Sequence, residues 1–187
     1  MKNVIIVHGM PDREEYYSPS GQTMSNSHFI PWLQKELQVR DVKADAPEMP
    51  HAYQPDYATW VREFERFDVT PETVLVGHSC GAGFLVRWLS EHRDVVVAKV
   101  VLVAPWLNTE SEVATDIFAF VIDGSLPMRT SVVVFESTND DNYVQKSVAK
   151  LHQELPGAAY RVFENHGHFT AGDIGLTFPA LLEECIK

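Results

Sequence analysis

The pentapeptide GHSCG at positions 77–81 carries the strongest chemical signal in the sequence. It has the pattern G-x-S-x-G, follows the apolar run TVLV at 73–76, and precedes a stretch of helically spaced apolar residues. A serine at the centre of so sharp a strand-to-helix turn exposes its Oγ above the sheet, and small flanking residues avoid collisions with the neighbouring strand and helix. The pattern predicts a nucleophile elbow with Ser79 as nucleophile. It also predicts that the Cys80 N–H, at a helix N-terminus, donates to a developing oxyanion.

Two later loops offer the groups that such a serine needs. A serine hydroxyl is a weak nucleophile at neutral pH, so it requires a general base and a carboxylate that orients the base. The segment STNDDNYV at 137–144 contains Asp140 and Asp141, either of which could instead cap the helix that follows. The segment ENHGHF at 164–169 contains His166 and His168 beside a glycine. These loops complete a candidate catalytic triad.

Three segments, GHSCGAGF, STNDDNYV and the GHF close to the C-terminal end, carry a resemblance that extends over nearly the whole chain. They are similar to the small serine hydrolases of the retinoblastoma-binding-protein-nine and YdeN type, a reduced group of α/β-hydrolases. The chain order serine, aspartate, histidine is also that of α/β-hydrolases. The resemblance implies that the second aspartate of the pair, Asp141, orients His168, and that His168 is the base. His166 is then a solvated neighbour or a pocket residue.

The loop HGMP at 8–11 has a single glycine, unlike family members with a fuller glycine-rich first loop. A second oxyanion donor is expected from this loop, and the Met10 N–H is the candidate because Pro11 has no N–H. His8 is expected either to stabilise the loop by hydrogen bonding or to be a buried structural histidine. Aromatic residues near strand ends, Trp106 and Phe169, are candidates for a substrate pocket, or else for the core.

Other chemistries have weaker support in the sequence. The Cys80 thiol is an unfavourable nucleophile because the elbow presents the central residue of the pentapeptide. The cysteines and histidines show neither HExxH nor paired zinc spacing, and there is no G-x-G-x-x-G or phosphate-binding loop. We therefore expect no catalytic metal and no cofactor. Retinoblastoma binding would require a Leu-x-Cys-x-Glu segment, and neither Cys80 nor Cys185 has leucine two residues earlier.

Short β-branched runs alternate with amphipathic segments, which is typical of a parallel sheet covered by helices. The predicted strands are Asn3 to His8, Thr73 to Gly77, Ala98 to Ala104 and Ser131 to Glu136, with weaker candidates at Val39 to Asp45 and Ala159 to Glu164. Helical spacing covers 29–37 with Ser27 as N-cap, then 57–67, 80–92, 143–155 and 174–186. We predict a reduced α/β-hydrolase fold: about six parallel strands in the order 2-1-3-4-5-6, with helices on both faces in a three-layer sandwich.

Length and charge limit the classes of function. The 187 residues predict one domain over 1–187, in which 106–127 is a small lid or a crossover. The formal net charge of −11 disfavours nucleic acid and anionic membranes as partners. Two cysteines, and no apolar run long enough for a signal peptide or a membrane span, predict a cytoplasmic protein.

The expected activity is that of a serine hydrolase acting on a small-molecule ester through an acyl-enzyme, with the oligomeric state left open. Two alternatives share these residues. One is a catalytically weak or inactive hydrolase-fold protein that binds a partner. The other is an acyltransferase that uses the same triad.

Overall fold

The centre of the protein is a six-stranded sheet in which all neighbouring strands are parallel. The computed structural model describes residues 2–111 and 113–187. Its strands follow the order β2-β1-β3-β4-β5-β6, which confirms the predicted order and fold class. Apolar side chains that are buried on both faces, as in β1 and β3, suit strands covered by helices on each side. The strands are β1 (Asn3–Val7), β2 (Lys43–Asp45), β3 (Val74–His78), β4 (Lys99–Val103), β5 (Ser131–Ser137) and β6 (Ala159–Phe163).

Helices cover both faces of the sheet. Those of the described residues are α1 (Arg13–Tyr17), α2 (Ile30–Gln38), α3 (Tyr57–Phe64), α4 (Cys80–Glu91), α5 (Leu126–Arg129), α6 (Asn142–Glu154), α7 (Ala171–Ile174) and α8 (Pro179–Ile186). Helices α2 and α8 pack together. Helices α3 and α4 meet through aromatic pairs such as Trp60 and Phe84, with ring centroids 5.6 Å apart. The chain moves from β1 to β2 in one direction across the sheet and from β3 to β4 in the other. Because both crossovers are right-handed, α2 and α4 lie on opposite faces of the sheet. Among the described residues, every helix is too short or too polar to cross a bilayer.

Two predicted helix boundaries are wrong. The helix predicted over 174–186 is divided into α7 and α8, because Gly175 has φ 75° and Pro179 begins a new helix. Ser27 is not the N-cap of α2. Phe29 occupies that position, and the Ser27 Oγ donates instead to the Met24 carbonyl at 2.8 Å.

The segment 106–127, described apart from Glu112, is mostly irregular and packs against α3 and α4. The Tyr57 N–H donates to Asp116 Oδ1 at 2.9 Å. The Arg87 guanidinium donates to the carbonyls of Asp116 and Ile117, and its carbon lies 3.4 Å from the centroid of the Tyr57 ring. A Cβ on Gly83 would collide with the Trp106 carbonyl, so α4 and the start of this segment are in close backbone contact.

The topology creates a crevice between β1 and β3. These strands are neighbours, but the chain leaves β1 towards β2 and leaves β3 towards β4. Loops that diverge at such a switch point leave a binding crevice at the carboxyl ends of the strands. The loop with Met10 follows β1, and the turn with Ser79 follows β3.

The turn after β3 is shaped by two glycines in close contact with other backbone. A Cβ on Gly77 would lie 2.5 Å from the Ala82 Cα. A Cβ on Gly81 would collide with the carbonyl oxygens of Val7 and His8, in β1 and the residue after it. Ser79 between them has φ 54° and ψ −119°, a left-handed conformation that costs a non-glycine residue about 1–3 kcal/mol. Helix α4 can therefore begin directly behind the serine and beside β1.

His8, at the end of β1, is a buried neutral histidine that fixes the loop after the strand. Its Nδ1 donates to the Gly9 carbonyl at 2.7 Å, and its Nε2 accepts from the Met49 N–H at 2.9 Å. Burial lowers the pKa of His8 below its ordinary value of 6.5, although the Gly9 carbonyl and the Glu48 carboxylate act in the opposite direction. Protonation of Nε2 would break the bond from Met49. Of the two roles predicted for His8, the structure supports the one in which the ring stabilises the loop by hydrogen bonding. The ring is buried, and both of its nitrogens are hydrogen-bonded.

Gly81→Ala is expected to destabilise the fold by about 3 kcal/mol, because the added methyl group meets the backbone of β1 and not a movable side chain. Urea unfolding measures the change in the free energy of unfolding. Gly172→Ala is the matched control, because a Cβ there lies 3.6 Å from its nearest neighbour, Thr170 Oγ1. A Gly81→Ala protein as stable as the control would contradict the close contact between α4 and β1.

The stability of the fold is expected to fall with decreasing pH below 6.5, in part through His8. Since the folded chain holds His8 neutral, the unfolded chain binds more protons in this window, and stability rises with pH by up to about 1.4 kcal/mol per unit for this group. The measurement is the slope of unfolding free energy against pH between about 5.5 and 7 for the parent and for His8→Gln. Equal slopes in the two proteins would show that His8 does not contribute to the pH dependence of stability.

Candidate active site

Both backbone polar groups of Ser79 are hydrogen-bonded, whereas its side chain faces a cavity. The Ser79 N–H donates to the Val103 carbonyl at 2.9 Å, and the Ser79 carbonyl accepts from the N–H groups of Ala82, Gly83 and Trp106. The residue is half-buried and, among the described residues, its Oγ makes no hydrogen bond. These contacts fix the position of Ser79 relative to α4 and to the loop after β4.

Cys80 begins α4 and is buried. Burial raises the pKa of its thiol, so the group stays protonated and is not a competing nucleophile. The N–H at the first position of a helix has no partner within the helix and lies at the positive end of the helix dipole. The Cys80 N–H is therefore chemically suited to stabilise an oxyanion.

His168 reaches the serine from the far edge of the sheet. Strands β6 and β3 are three strand spacings apart, about 14 Å, so the loop after β6 returns across the sheet. The loop after β5 holds the loop after β6 in place. The His166 N–H donates to Ser137 Oγ at 2.9 Å, and the Gly167 N–H donates to Asn139 Oδ1 at 2.8 Å. Residues 166–168 thereby pass over the end of β5 towards Ser79.

Of the two histidines in this loop, His168 lines the cavity next to Ser79. His166 faces away, with its Nδ1 2.8 Å from the Glu164 carbonyl and its ring packed against Phe163. The backbone N–H of His168 donates to Asp173 Oδ2 at 3.0 Å. Burial alone would raise the pKa of Asp173, but hydrogen bonds from Thr170 and His168 hold that pKa below its ordinary value. Asp173 is thus an ionised anchor for the peptide group of His168.

The carboxylate in contact with the His168 ring belongs to Asp140. Asp140 Oδ1 lies 2.9 Å from His168 Nδ1 and also accepts the Asp141 N–H at 2.7 Å. The Asp140 side chain is 2% exposed. The prediction that Asp141 orients His168 is therefore corrected. Asp141 is the N-terminal capping residue of α6, it is exposed, and its Oδ2 accepts from the Tyr143 hydroxyl at 2.9 Å.

Two cavities share Ser79, His168 and Met10. One, of about 340 Å³, is further lined by Trp106, Val113 and Tyr143. The other, of about 320 Å³, is further lined by polar residues that include Glu15, His28 and Thr170. Ser79 therefore lies between a largely aromatic cavity and a more polar one.

The structure separates the two predicted pocket aromatics. Trp106 lines the aromatic cavity. Phe169 does not line either cavity, because its backbone at φ 56° turns the ring into the core, where it stacks on Phe178 with centroids 5.3 Å apart. Phe169 is thus corrected from a pocket residue to a core residue.

Several lining residues were not identified from the sequence, among them Tyr143, Val113 and His28. Tyr143 and Val113 border the aromatic cavity. His28 borders the polar cavity, and its Nδ1 accepts the Ala171 N–H at 3.2 Å. Burial, and then the charge of His168 when protonated, lower the pKa of His28. Tyr143 alone had a signal in the sequence, because it follows the aspartate pair at the carboxyl end of a predicted strand.

Comparison with solved structures supports the fold, because the chain superposes over nearly its whole length on several solved proteins. The ydeN gene product of B. subtilis superposes with a TM-score of 0.84 at 22% identity, covering 100% of this chain and 97% of the other. A putative yden-like hydrolase from Pectobacterium atrosepticum superposes with a TM-score of 0.69 at 19% identity, covering 98% and 88%. Est1E from Butyrivibrio proteoclasticus gives a TM-score of 0.66 at 13% identity, covering 98% and 85%.

Sequence comparison gives the family. No curated protein sequence matches the chain. The family model described as serine hydrolase matches residues 16–179, which include the G-x-S-x-G turn, the aspartate pair and both histidines of the loop after β6. The protein, a hydrolase, belongs to the serine hydrolase family.

Proposed function

We propose that the protein hydrolyses small carboxylic esters through a covalent acyl-enzyme, with Ser79 as nucleophile, His168 as general base and Asp140 as the orienting carboxylate. One observation carries the proposal: the imidazole that borders the Ser79 cavity has its Nδ1 2.9 Å from a buried carboxylate. A carboxylate only accepts hydrogen bonds, so Nδ1 carries a hydrogen and Nε2 keeps its lone pair for the serine proton.

The first half of the reaction forms the acyl-enzyme. Ser79 Oγ attacks the ester carbonyl while His168 Nε2 takes its proton, and Asp140 stabilises the resulting imidazolium. The protonated His168 then gives the proton to the leaving alkoxide, and the alcohol departs. Among the described residues, no hydrogen bond joins Ser79 Oγ to the His168 ring; in unliganded enzymes such a bond is often long and tightens with substrate.

The oxyanion of each tetrahedral intermediate is assigned to the N–H groups of Met10 and Cys80. The first comes from the loop after β1 and the second from the start of α4, and the two loops meet at the crevice between β1 and β3. Donors fixed by backbone need no reorganisation when the charge forms. In the second half of the reaction, water activated by His168 attacks the acyl carbonyl, and Ser79 leaves with the proton returned by His168.

The size and lining of the aromatic cavity support a small ester. Its volume of about 340 Å³ is near the lower end of the roughly 300–1,000 Å³ typical of ligand pockets. Met10, Trp106, Val113 and Tyr143 offer an apolar surface for an acyl group next to the nucleophile. The acyltransferase and partner-binding alternatives are distinguished from hydrolysis by the experiments below.

A fluorophosphonate probe is expected to add once to the protein, at Ser79, and intact mass spectrometry measures the adduct. Ser79→Ala and His168→Ala are expected to abolish the adduct, because one lacks the nucleophile and the other lacks the base. Cys80→Ala is the matched control and is expected to keep it, since the Cys80 thiol is buried and protonated. A folded parent protein without an adduct would favour the partner-binding alternative. An adduct without ester hydrolysis, but with acyl transfer to an added alcohol, would favour an acyltransferase.

The neighbouring aspartates provide a paired test of the triad. Asp140→Asn is expected to lower kcat for nitrophenyl ester hydrolysis by about a thousandfold or more, because an amide can stabilise the wrong imidazole tautomer and carries no charge. Asp141→Asn is expected to leave kcat near the parent value, because Asp141 contacts Tyr143 and not the base. Equal losses in the two variants, or a larger loss at Asp141, would exclude the assignment of Asp140.

A further inference from the structure

His78, the residue before the nucleophile, makes a direct hydrogen bond to the backbone of the base. It is the last residue of β3 and is 3% exposed. Its Nε2 lies 2.8 Å from the His168 carbonyl oxygen, and because a carbonyl only accepts, Nε2 is the donor. One peptide bond therefore separates Ser79 from a side chain that holds His168, although the two histidines are 90 residues apart in sequence.

Most of the other contacts of the His78 ring are aromatic, although the residue also borders the polar cavity beside Ser79. Its ring packs edge-on against Phe29, with centroids 5.6 Å apart, and lies 5.7 Å from the ring of His28 and 5.1 Å from that of His168. A polar ring in such surroundings loses its hydration, and a buried polar group is tolerated when it is hydrogen-bonded. In the described residues the one hydrogen bond of this ring is the bond to His168. An apolar side chain would fill the same space without the cost of desolvation, so packing alone does not account for a histidine here.

The charge state of His78 is compatible with this contact. Burial holds its pKa well below the ordinary value, and a positive charge on His168 lowers that pKa further. His78 therefore remains a neutral donor when His168 takes up the serine proton.

We propose that His78 is a positioning residue that aims His168 at Ser79; this inference rests on the proposed function of the triad. His168 is held at three points by three parts of the chain. Asp140 holds Nδ1, Asp173 accepts the backbone N–H, and His78 donates to the carbonyl. Of the three contact residues, His78 is the one that lies in the same turn as Ser79. Its hydrogen bond therefore sets the distance between the His168 base and the Ser79 nucleophile.

Two substitutions separate the hydrogen bond from the packing. His78→Leu fills the site without a donor, whereas His78→Gln places an amide N–H near the position of the ring Nε2. We expect His78→Leu to lower kcat and the rate of fluorophosphonate labelling at Ser79 about 10- to 100-fold, with KM changed less than about threefold, as for a misplaced catalytic group. His78→Gln is expected to recover most of this loss.

Phe29→Leu is the matched control, because it removes a ring packed against His78 without touching the hydrogen bond. It is expected to lower the melting temperature, because it removes part of a fully buried ring, and to keep kcat near the parent value. Parental kcat in His78→Leu, equal losses in the Leu and Gln variants, or an equal loss in Phe29→Leu would each overturn the positioning role.

A second measurement does not depend on the reactivity of Ser79. Proton NMR with ¹⁵N-labelled histidine follows the Nδ1–H of His168, which is protected while it is hydrogen-bonded to Asp140. We expect His78→Leu to broaden or shift this resonance and Phe29→Leu to preserve it; an unchanged resonance in His78→Leu would overturn the proposal. If the parent protein neither labels nor hydrolyses esters, the proposed function fails, and the NMR result still decides whether His78 positions His168.

Discussion

The site depends on the close backbone contact between the start of α4 and the end of β1. Because Gly81 lies against the carbonyls of Val7 and His8, the helix can begin directly behind Ser79. The Ser79 carbonyl then accepts from the N–H of Trp106 as well as from N–H groups of α4. The bond from Trp106 fixes the loop after β4 to the same turn. One rigid junction is thus shared by the turn that carries Ser79, the loops that supply the proposed oxyanion donors, and the loop that forms one wall of the aromatic cavity. The left-handed backbone of Ser79 is maintained by this surrounding structure.

Burial favours the neutral form of three histidines around the junction, of which His8 and His78 are buried and His28 is half-buried. His8 donates from Nδ1 and accepts at Nε2, whereas His78 donates from Nε2 to a carbonyl. His28 accepts at Nδ1. Each arrangement fits a neutral ring, and burial lowers the pKa of all three. A positive charge formed on His168 during proton transfer therefore faces neutral rings and the carboxylate of Asp140, so the charge is stabilised where the proposed mechanism requires it.

The parts that could be predicted from the sequence are those determined by local patterns. Apolar runs predicted the strands and the G-x-S-x-G motif predicted the strand-to-helix turn, because burial on both faces and small residues at a sharp turn leave clear signals. The strand order was expected from the resemblance to α/β-hydrolases. The choice between Asp140 and Asp141 has no such signal. It depends on the turn after β5, in which the Asp140 N–H donates to the Ser137 carbonyl at 3.4 Å. Likewise, the left-handed backbone of Phe169 and the distant partner of His78 arise from tertiary contacts that single-residue patterns do not contain.

The two halves of the site are held by different physical means. Ser79 is fixed by backbone packing, in which a methyl group added at Gly77 or Gly81 meets other backbone atoms. His168 is carried by a loop that leaves an edge strand and is held by side-chain hydrogen bonds to Ser137, Asn139, Asp140, His78 and Asp173. Steric collisions in packed backbone are costly, whereas loss of one hydrogen bond at a loop changes stability by about 1 kcal/mol. Substitutions at the two glycines beside Ser79 therefore act first on folding, and those that remove a hydrogen bond around His168 act first on the position of its ring. Since His78 belongs to the rigid junction and contacts the loop, it joins the two halves.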